Sequence, residues 1–304
     1  MALTLRKRNP DPTRRGELLF GPLMIFPAVL GLTLFQFVPL GAAVYNSFQG
    51  FNPFTKRPKG FVGFDNFAAV LANPHFQSAM LVSLTYILLL VVITIPLALA
   101  LALLIDKRLP GTNWARGAII GALAASEAIS ALIWNQMYAP NSGLFNSILS
   151  AIGAGTIPFL TDGAHAIVSI VVMTVWKDVG LPMLIFLGGL QAIPPHLYEA
   201  AQIDGAGRWA IFKRITLPML RPSMILAIFI MTVHGARLFT PIMLLTQGGP
   251  NGSTTNVTYY SYSQAFEFSS PGLASASVMF MLVVMVGLTI LQAWVIRGKK
   301  EARL

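Results

Sequence analysis

Four charged side chains fall inside stretches of the sequence that are otherwise apolar: Glu127, Lys177, Asp178 and Arg237. Counted from the ends of those stretches, each lies in the middle or outer-middle part of a membrane-spanning segment. An isolated charge at that depth costs on the order of 3 kcal/mol on insertion scales, so each must face a partner, a protein interior or water. Two alternatives follow: structural ion pairs between the two acids and the two bases, or a polar lining for a water-filled cavity.

A polar and aromatic stripe continues from Glu127 along the same predicted helix. Glu127, Ser130, Trp134 and Tyr138 lie at i, i+3, i+7 and i+11, and therefore on one helical face. Polar and aromatic groups together suit a sugar, which has hydroxyls and apolar ring faces. The same stripe would serve equally well as a contact surface between two helices.

His234 and Arg237 lie one turn apart in a later apolar stretch, with Pro241 a turn further on. An arginine guanidinium holds phosphate through two parallel hydrogen bonds, which suits a glycerophosphate-like ligand. The alternative is an ion pair between Arg237 and Glu127. Pro241 is expected to loosen the helix and free a backbone carbonyl. Further prolines in the predicted spans are candidates for kinks: Pro22, Pro27, Pro39, Pro96 and Pro182.

Six apolar runs must position these residues. With 304 residues, 55% of them hydrophobic and 11% charged, the chain is too apolar for an ordinary soluble domain. Each run is long enough to cross a bilayer, for which roughly 20 residues suffice, and the alternating pattern of barrel strands is absent from the sequence. The sequence therefore predicts an all-α integral membrane protein with six transmembrane helices, at about 18–44, 76–105, 117–138, 165–190, 220–245 and 272–296.

Lysine and arginine are unevenly distributed around these runs. Sixteen lie in the two tails and in segments 106–116 and 190–222, whereas the opposite side carries three: Lys56, Arg57 and Lys59. Because basic loops stay in the cytoplasm, we expect a cytoplasmic tail at 1–17, a transmembrane domain at 18–296 and a second cytoplasmic tail at 297–304. The same distribution accounts for the net charge of +10 without a nucleic-acid partner.

The longest polar interruption, residues 190–222, predicts two short helices on the cytoplasmic side. Pro194 and Pro195 suit the first turn of a helix, and Gly205 can end it. A second helix begins near Arg208, and its apolar face carries three residues at helical spacing: Trp209, Phe212 and Ile215. The two helices are expected to hinge at Gly205 and Gly207.

The residues of this interruption resemble a known motif. Glu199-Ala200-Ala201, then Asp204-Gly205-Ala206, then Phe212, Ile215, Leu217 and Pro218 resemble the EAA loop of permease subunits in ABC importers. The segment FVGFDNF at 61–67 and the loop Gly248-Gly249-Pro250 resemble elements of the carbohydrate-uptake subfamily. Together the resemblance covers nearly the whole chain after residue 18.

The resemblance implies a type I ABC importer permease fold and a set of partners. The loop 194–218 would couple to a cleft on a cytoplasmic ATPase dimer, and the coupling residues would be Glu199, Ala200, Ala201, Asp204, Gly205 and Ala206. Members of the subfamily import sugars, oligosaccharides and glycerol phosphates delivered by an extracytoplasmic solute-binding protein. They pair with a second homologous permease in a bacterial or archaeal-type cell membrane.

The sequence has no nucleotide-binding signature of its own. It contains neither a GxxxxGK[ST] loop nor an HExxH or GxSxG motif. We therefore expect no enzyme activity and no cofactor on this chain, with ATP and Mg²⁺ bound by the partner ATPase. The rival interpretation is an ion-gradient-driven secondary transporter or channel, with Glu127, Lys177 and Asp178 as a proton relay. The EAA pattern argues against it, because such a carrier needs no docking helix for an ATPase.

Overall fold

The structure is a computed structural model, and it describes residues 23–52, 55, 57–107 and 110–297. The described part is mainly helical, with one antiparallel hairpin formed by β1 (Gln49–Phe51) and β2 (Pro58–Phe61). In chain order the helices are α1 Leu23–Ser47, α2 Asp65–Ala72, α3 Pro74–Asp106, α4 Thr112–Ala124, α5 Glu127–Met137, α6 Leu144–Ala151, α7 Gly163–Asp178, α8 Gly180–Gln191, α9 Pro195–Ile203, α10 Arg208–Met219, α11 Arg221–Ala236, α12 Thr240–Leu245, α13 Val257–Tyr262 and α14 Pro271–Arg297.

Three short segments have the wider π-helical turn: Thr33–Phe37 within α1, Phe212–Thr216 within α10 and Ser263–Glu267 directly after α13. The tail predicted at 1–17 lies outside the described residues, and so do residues 298–304 of the second tail.

The prediction of an all-α membrane protein is confirmed. Among the described residues α1, α3 and α14 are each long and apolar enough to cross a membrane. Three bent pairs would raise the number of spans to six if each pair is one span: α4 with α5 at 103°, α7 with α8 at 45°, and α10 with α11 at 64°. The count of six and the cytoplasmic position of the termini stay predictions.

The helices are broken within the spans predicted at 117–138, 165–190 and 220–245, in two cases near a proline that the sequence marked as a point of kinking or loosening. Pro182 has no N–H to donate to the Asp178 carbonyl, four residues earlier. The helix is broken next to that carbonyl, at Val179 between α7 and α8. Pro241 likewise has no N–H to donate to the carbonyl of Arg237, the residue that directly follows α11. Pro96, by contrast, lies within the unbroken α3. The break between α4 and α5 has no proline, and there Ala125 and Ser126 are extended.

Helix α3 is the centre of the packed core. One stripe of it is buried at helical spacing, and Tyr86 and Leu90 are completely covered. Helices α8 and α11 pack on this stripe, and α11 approaches it closely at Gly235, where a Cβ would lie 3.1 Å from the Ile87 Cα. In a bilayer a small residue on one helix allows such close backbone approach, and van der Waals packing rather than water exclusion then holds the helices together.

A matched glycine pair in α8 tests this packing. A Cβ on Gly189 would lie 2.9 Å from Leu220 Cδ2 and closer still to the Ser223 hydroxyl, whereas one on Gly188 would meet no atom within 4 Å. Gly189→Val is therefore expected to cost about 1–3 kcal/mol of stability by overpacking. Gly188→Val should behave like the wild type in thermal unfolding of the purified protein. Equal midpoints for the two variants would contradict the assigned α8–α11 contact.

Candidate functional site

All four charged residues singled out in the sequence lie where a helix begins or ends within a predicted span. Glu127 is the first residue of α5, Lys177 and Asp178 are the last two of α7, and Arg237 directly follows α11. Non-helical backbone at membrane depth is tolerated where it is covered by protein or lines a water-filled cavity. The breaks therefore place charged side chains where the helical hydrogen-bond pattern is interrupted.

Lys177, Asp178 and His234 form a buried ion cluster. Lys177 and Asp178 are 9% and 8% exposed, and the Lys177 Nζ lies 3.2 Å from the Asp178 Oδ1. The second carboxylate oxygen of Asp178 lies 3.0 Å from His234 Nε2. Those two atoms have no other polar partner among the described residues. Part of the predicted ion pairing is thus present, with an imidazole as its third member.

Glu127 and Arg237 instead border a cavity of about 370 Å³ together with His234. The remaining wall is apolar and consists of Ile230, Val233 and Leu238. Arg237 is exposed, and within the described ranges neither Arg237 nor Glu127 makes an ion pair shorter than 4.0 Å. The Arg237–Glu127 ion pair left open by the sequence is therefore not formed in this structure. A guanidinium, a carboxylate and an imidazole face one space and can hydrogen-bond a polar solute there.

The stripe on α5 divides between two environments. Ser130, Trp134 and Tyr138 are 3%, 8% and 3% exposed and pack inside the chain. The Trp134 ring lies 5.4 Å from that of Tyr138, whose hydroxyl donates to the Ser169 carbonyl over 3.0 Å. Trp134 and Tyr138 border a separate, mainly apolar cavity of about 500 Å³. This placement favours the contact-surface alternative for the three, and a role for them in transport stays a prediction.

The predicted pair of short helices is present as α9 and α10. Gly205 has a φ of +73°. Its N–H donates to the Gln202 carbonyl, and the Ala206 N–H donates to that of Ala201 over 2.9 Å. These two bonds are the helix-ending Schellman pattern, which favours glycine at the left-handed position. Gly207 has a φ of −69°, so the left-handed turn lies at Gly205 alone.

The loop between α9 and α10 presents polar and apolar side chains outward. Glu199, Ala200 and Asp204 are exposed, while Ala201 and Ala206 are half-buried. Sequence reasoning did not assign a coupling role to two apolar residues that flank the turn: Ile203 is 86% exposed and Trp209 is 73% exposed. The sequence did contain a signal for both residues: each is apolar, and each lies beside a glycine turn in a segment predicted to lie outside the lipid.

A second contact joins α9 to α10. The Tyr198 and Thr216 hydroxyls lie 3.2 Å apart and share a hydrogen bond, and Thr216 is buried at the end of the π turn. The two helices are thus connected twice: by the chain at the Gly205 turn, and by the hydrogen bond between Tyr198 and Thr216, which are 18 residues apart in sequence. Two connections hold the angle between α9 and α10 more firmly than a turn alone.

Backbone carbonyls at and just after the end of α11 accept hydrogen bonds from side chains at the start of α13. The Thr258 hydroxyl donates to the Ala236 carbonyl over 3.0 Å, and the buried Asn256 amide donates to the Leu238 carbonyl. Buried backbone acceptors of this kind need partners. The loop 246–256 is therefore fixed against the helix end that bears Arg237.

Comparison with known proteins gives the family. Residues 66–301 match the family described as "Binding-protein-dependent transport system inner membrane component". The chain is 34% identical to the trehalose/maltose transport system permease protein MalF of Thermococcus litoralis over 94% of this chain and 96% of that protein. It is 32% identical to the sn-glycerol-3-phosphate transport system permease protein UgpA of Rhizobium meliloti, covering 89% and 92% of the two chains.

Solved structures agree with the sequence relatives. A bacterial ABC transporter involved in import of the acidic polysaccharide alginate has a chain that superposes with a TM-score of 0.81 at 25% identity, covering 94% of this chain and 96% of that one. A bacterial alginate ABC transporter in complex with an alginate pentasaccharide-bound periplasmic protein gives a TM-score of 0.78, with coverage of 92% and 93%. The chain belongs to the family of binding-protein-dependent inner membrane transport components, and it is a multi-pass permease subunit of an ABC importer.

Proposed function

We propose that this chain forms one half of the translocation pathway for a sugar- or glycerol-phosphate-type solute, and that the cavity lined by Glu127, His234 and Arg237 contacts that solute. The observation that carries the proposal is the cavity itself. At helix breaks within the membrane domain it holds a guanidinium and a carboxylate, neither of which forms an ion pair with another described residue. Intramembrane charges that do not pair with each other are the expected lining of a solute path.

The chemistry of the cavity suits a solute rich in hydroxyls. Glu127 accepts hydrogen bonds from hydroxyl groups, and Arg237 donates to phosphate or hydroxyl oxygens. Ile230, Val233 and Leu238 supply an apolar wall for carbon-bound hydrogens. The named solutes of the relatives, trehalose or maltose and sn-glycerol 3-phosphate, belong to this class.

The energy for transport comes in this proposal from a separate ATPase dimer that docks on α9 and α10. Exposed Ile203 and Trp209 on the two sides of the Gly205 turn support this role, because burying both side chains against a partner would remove a large apolar area from water. ATP and Mg²⁺ would be bound there. A second homologous permease would complete the pathway, and the cell membrane would be of bacterial or archaeal type.

Vesicle uptake tests the proposal. The chain is reconstituted with its partner permease and ATPase, and the solute-loaded binding protein is added outside. Uptake is expected only with hydrolysable ATP inside the vesicles, and it should stop with a non-hydrolysable analogue. Uptake by this chain alone, driven by an imposed proton gradient without ATP, would replace the proposal with a gradient-driven carrier.

A further inference from the structure

The short helix α6 lies in the segment that joins the predicted third and fourth spans, on the side opposite the α9–α10 loop in the predicted orientation. Its start is held against the end of α5. The Gly143 N–H donates to the Ala139 carbonyl over 3.0 Å, and a Cβ on Gly143 would lie 2.6 Å from the Met137 carbonyl oxygen. In the predicted topology the third span ends at residue 138, so α6 begins at the surface of the bilayer.

The buried face of α6 fixes how the helix lies. The Phe145 ring packs 5.3 Å from that of Tyr138, directly after α5. Asn146 is buried, and its amide donates to the carbonyls of Pro140 and Ile157 over 3.1 Å each, while its Oδ1 accepts from the Ile157 N–H over 2.9 Å. The segments before and after α6 are therefore tied to one face of it, which sets the rotation of the helix about its axis.

The rest of the α6 surface is exposed and has two chemically different faces. One is apolar: Leu144 and Ile148 are each 52% exposed, and Ile152, directly after the helix, is 73% exposed. The other is polar and carries the exposed Ser147 and Ser150. At about 100° per residue, the buried, apolar and polar faces each take roughly a third of the circumference. A helix with protein on one side, an apolar face on the second and a polar face on the third suits the boundary between lipid and water.

The apolar face of α6 is continuous with the exposed apolar surface of the membrane domain. Phe145, next to that face, borders the mainly apolar cavity of about 500 Å³, and the wall of this cavity also includes Val168 and Val172 of α7. Both valines are exposed and lie within the predicted fourth span. The sequence 128–161 contains no charged residue, so nothing in it opposes contact with acyl chains, and it offers no charge to a protein partner.

We propose that α6 is an interfacial helix that rests on the outer surface of the lipid bilayer, with Leu144, Ile148 and Ile152 inserted among the upper acyl chains and both serines toward water. Apolar burial supplies the attraction, and the apolar face would lie about 5–10 Å into the boundary between headgroups and acyl chains. Through Phe145 and Asn146 the helix would hold the outer end of α5 at a fixed depth. This contact does not depend on which solute is transported.

Fluorescence quenching in the assembled transporter tests this position. The chain has no cysteine, so Ile148→Cys and Ser150→Cys each give it one labelling site, which is labelled with a small fluorophore before assembly. In phosphatidylcholine vesicles the label at 148 should lose emission to a nitroxide-bearing phosphatidylcholine and resist aqueous iodide. The label at 150 should show the reverse. Ser150 is the matched control, because it is exposed on the same helix about 200° further around the axis.

Leu144→Cys, on the same face as Ile148, gives a second reading if Ile148→Cys assembles poorly. Equal lipid quenching at 148 and 150 would overturn the proposal. Shielding of the label at 148 from both quenchers would overturn it too, since a protein partner would then cover this face. Replacing part of the phosphatidylcholine by anionic phosphatidylglycerol should leave the quenching unchanged. A requirement for the anionic lipid would contradict the proposal, because the segment has no basic residue to bind it.

Discussion

Gly205→Val is expected to insert into the membrane normally and yet lose solute-stimulated ATP hydrolysis in the assembled importer. The glycine has a φ of +73°, and no atom lies within 4 Å of the position that a Cβ would take. The cost of the substitution is therefore in the backbone, about 1–3 kcal/mol for a side chain in the left-handed region. If the turn relaxes to avoid that cost, α9 and α10 change their relative direction, and the exposed Ile203 and Trp209 move relative to each other.

Gly207→Val is the matched control for this prediction. Gly207 is two residues away and equally open, but its φ of −69° is accessible to any residue. We expect Gly207→Val to co-purify with the ATPase, whereas Gly205→Val should bind it about tenfold more weakly or worse. Gly205→Asn should fall between them, because asparagine tolerates the left-handed region. Equal coupling in both valine variants would remove the role assigned to the turn.

Asp178→Asn and Arg237→Gln are expected to fail in different ways. Asp178 is buried between Lys177 and His234, so a neutral amide would leave the Lys177 charge uncompensated. Breaking a buried pair from one side costs about 3–5 kcal/mol. The amount of folded, assembled protein should fall accordingly, as measured by size-exclusion chromatography and thermal unfolding.

Arg237 is exposed to its cavity and makes no ion pair in the described part of the chain. Arg237→Gln should therefore assemble normally and change transport instead. Loss of one charge-assisted contact, about 1.5–3 kcal/mol, predicts roughly tenfold or greater loss of glycerol phosphate uptake, with a smaller loss for trehalose. Poor assembly of Arg237→Gln with unchanged solute preference would show that the arginine is structural.

The double variant Lys177→Met with Asp178→Leu should recover much of the stability lost in Asp178→Asn.

Much of the fold could be predicted because its signals are local. Runs of apolar residues predict membrane helices wherever they are placed, and the left-handed turn at Gly205 follows from a residue type with unusual backbone freedom. Pro182 and Pro241 mark two of the helix breaks by an equally local effect, because a proline without an N–H removes a hydrogen bond from the helix in which it lies. The break at Ala125–Ser126 has no such local cause, and the sequence predicted a span at 117–138 without marking a break in it.

The partners within the candidate site could not be predicted, because they depend on which helix covers which face. Spacing along α5 placed Glu127, Trp134 and Tyr138 on one stripe, yet only Glu127 borders the Arg237 cavity. Two acids and two bases could pair in several ways. The structure pairs Asp178 with Lys177 and His234, residues from α7 and α11, and leaves Arg237 unpaired among the described residues.

The π turn at Phe212–Thr216 limits how the α9–α10 loop can be exchanged between related permeases. Within this turn the Leu217 N–H bonds to the Phe212 carbonyl, five residues back, so the turn holds one residue more than an α-helical turn. Each residue of an α-helix advances it by about 100°. A chimera joined between Trp209 and Thr216, with a donor that lacks the extra residue, would rotate the loop by about that angle relative to α11. Such grafts should be joined after Thr216, so that the turn travels with the loop it orients.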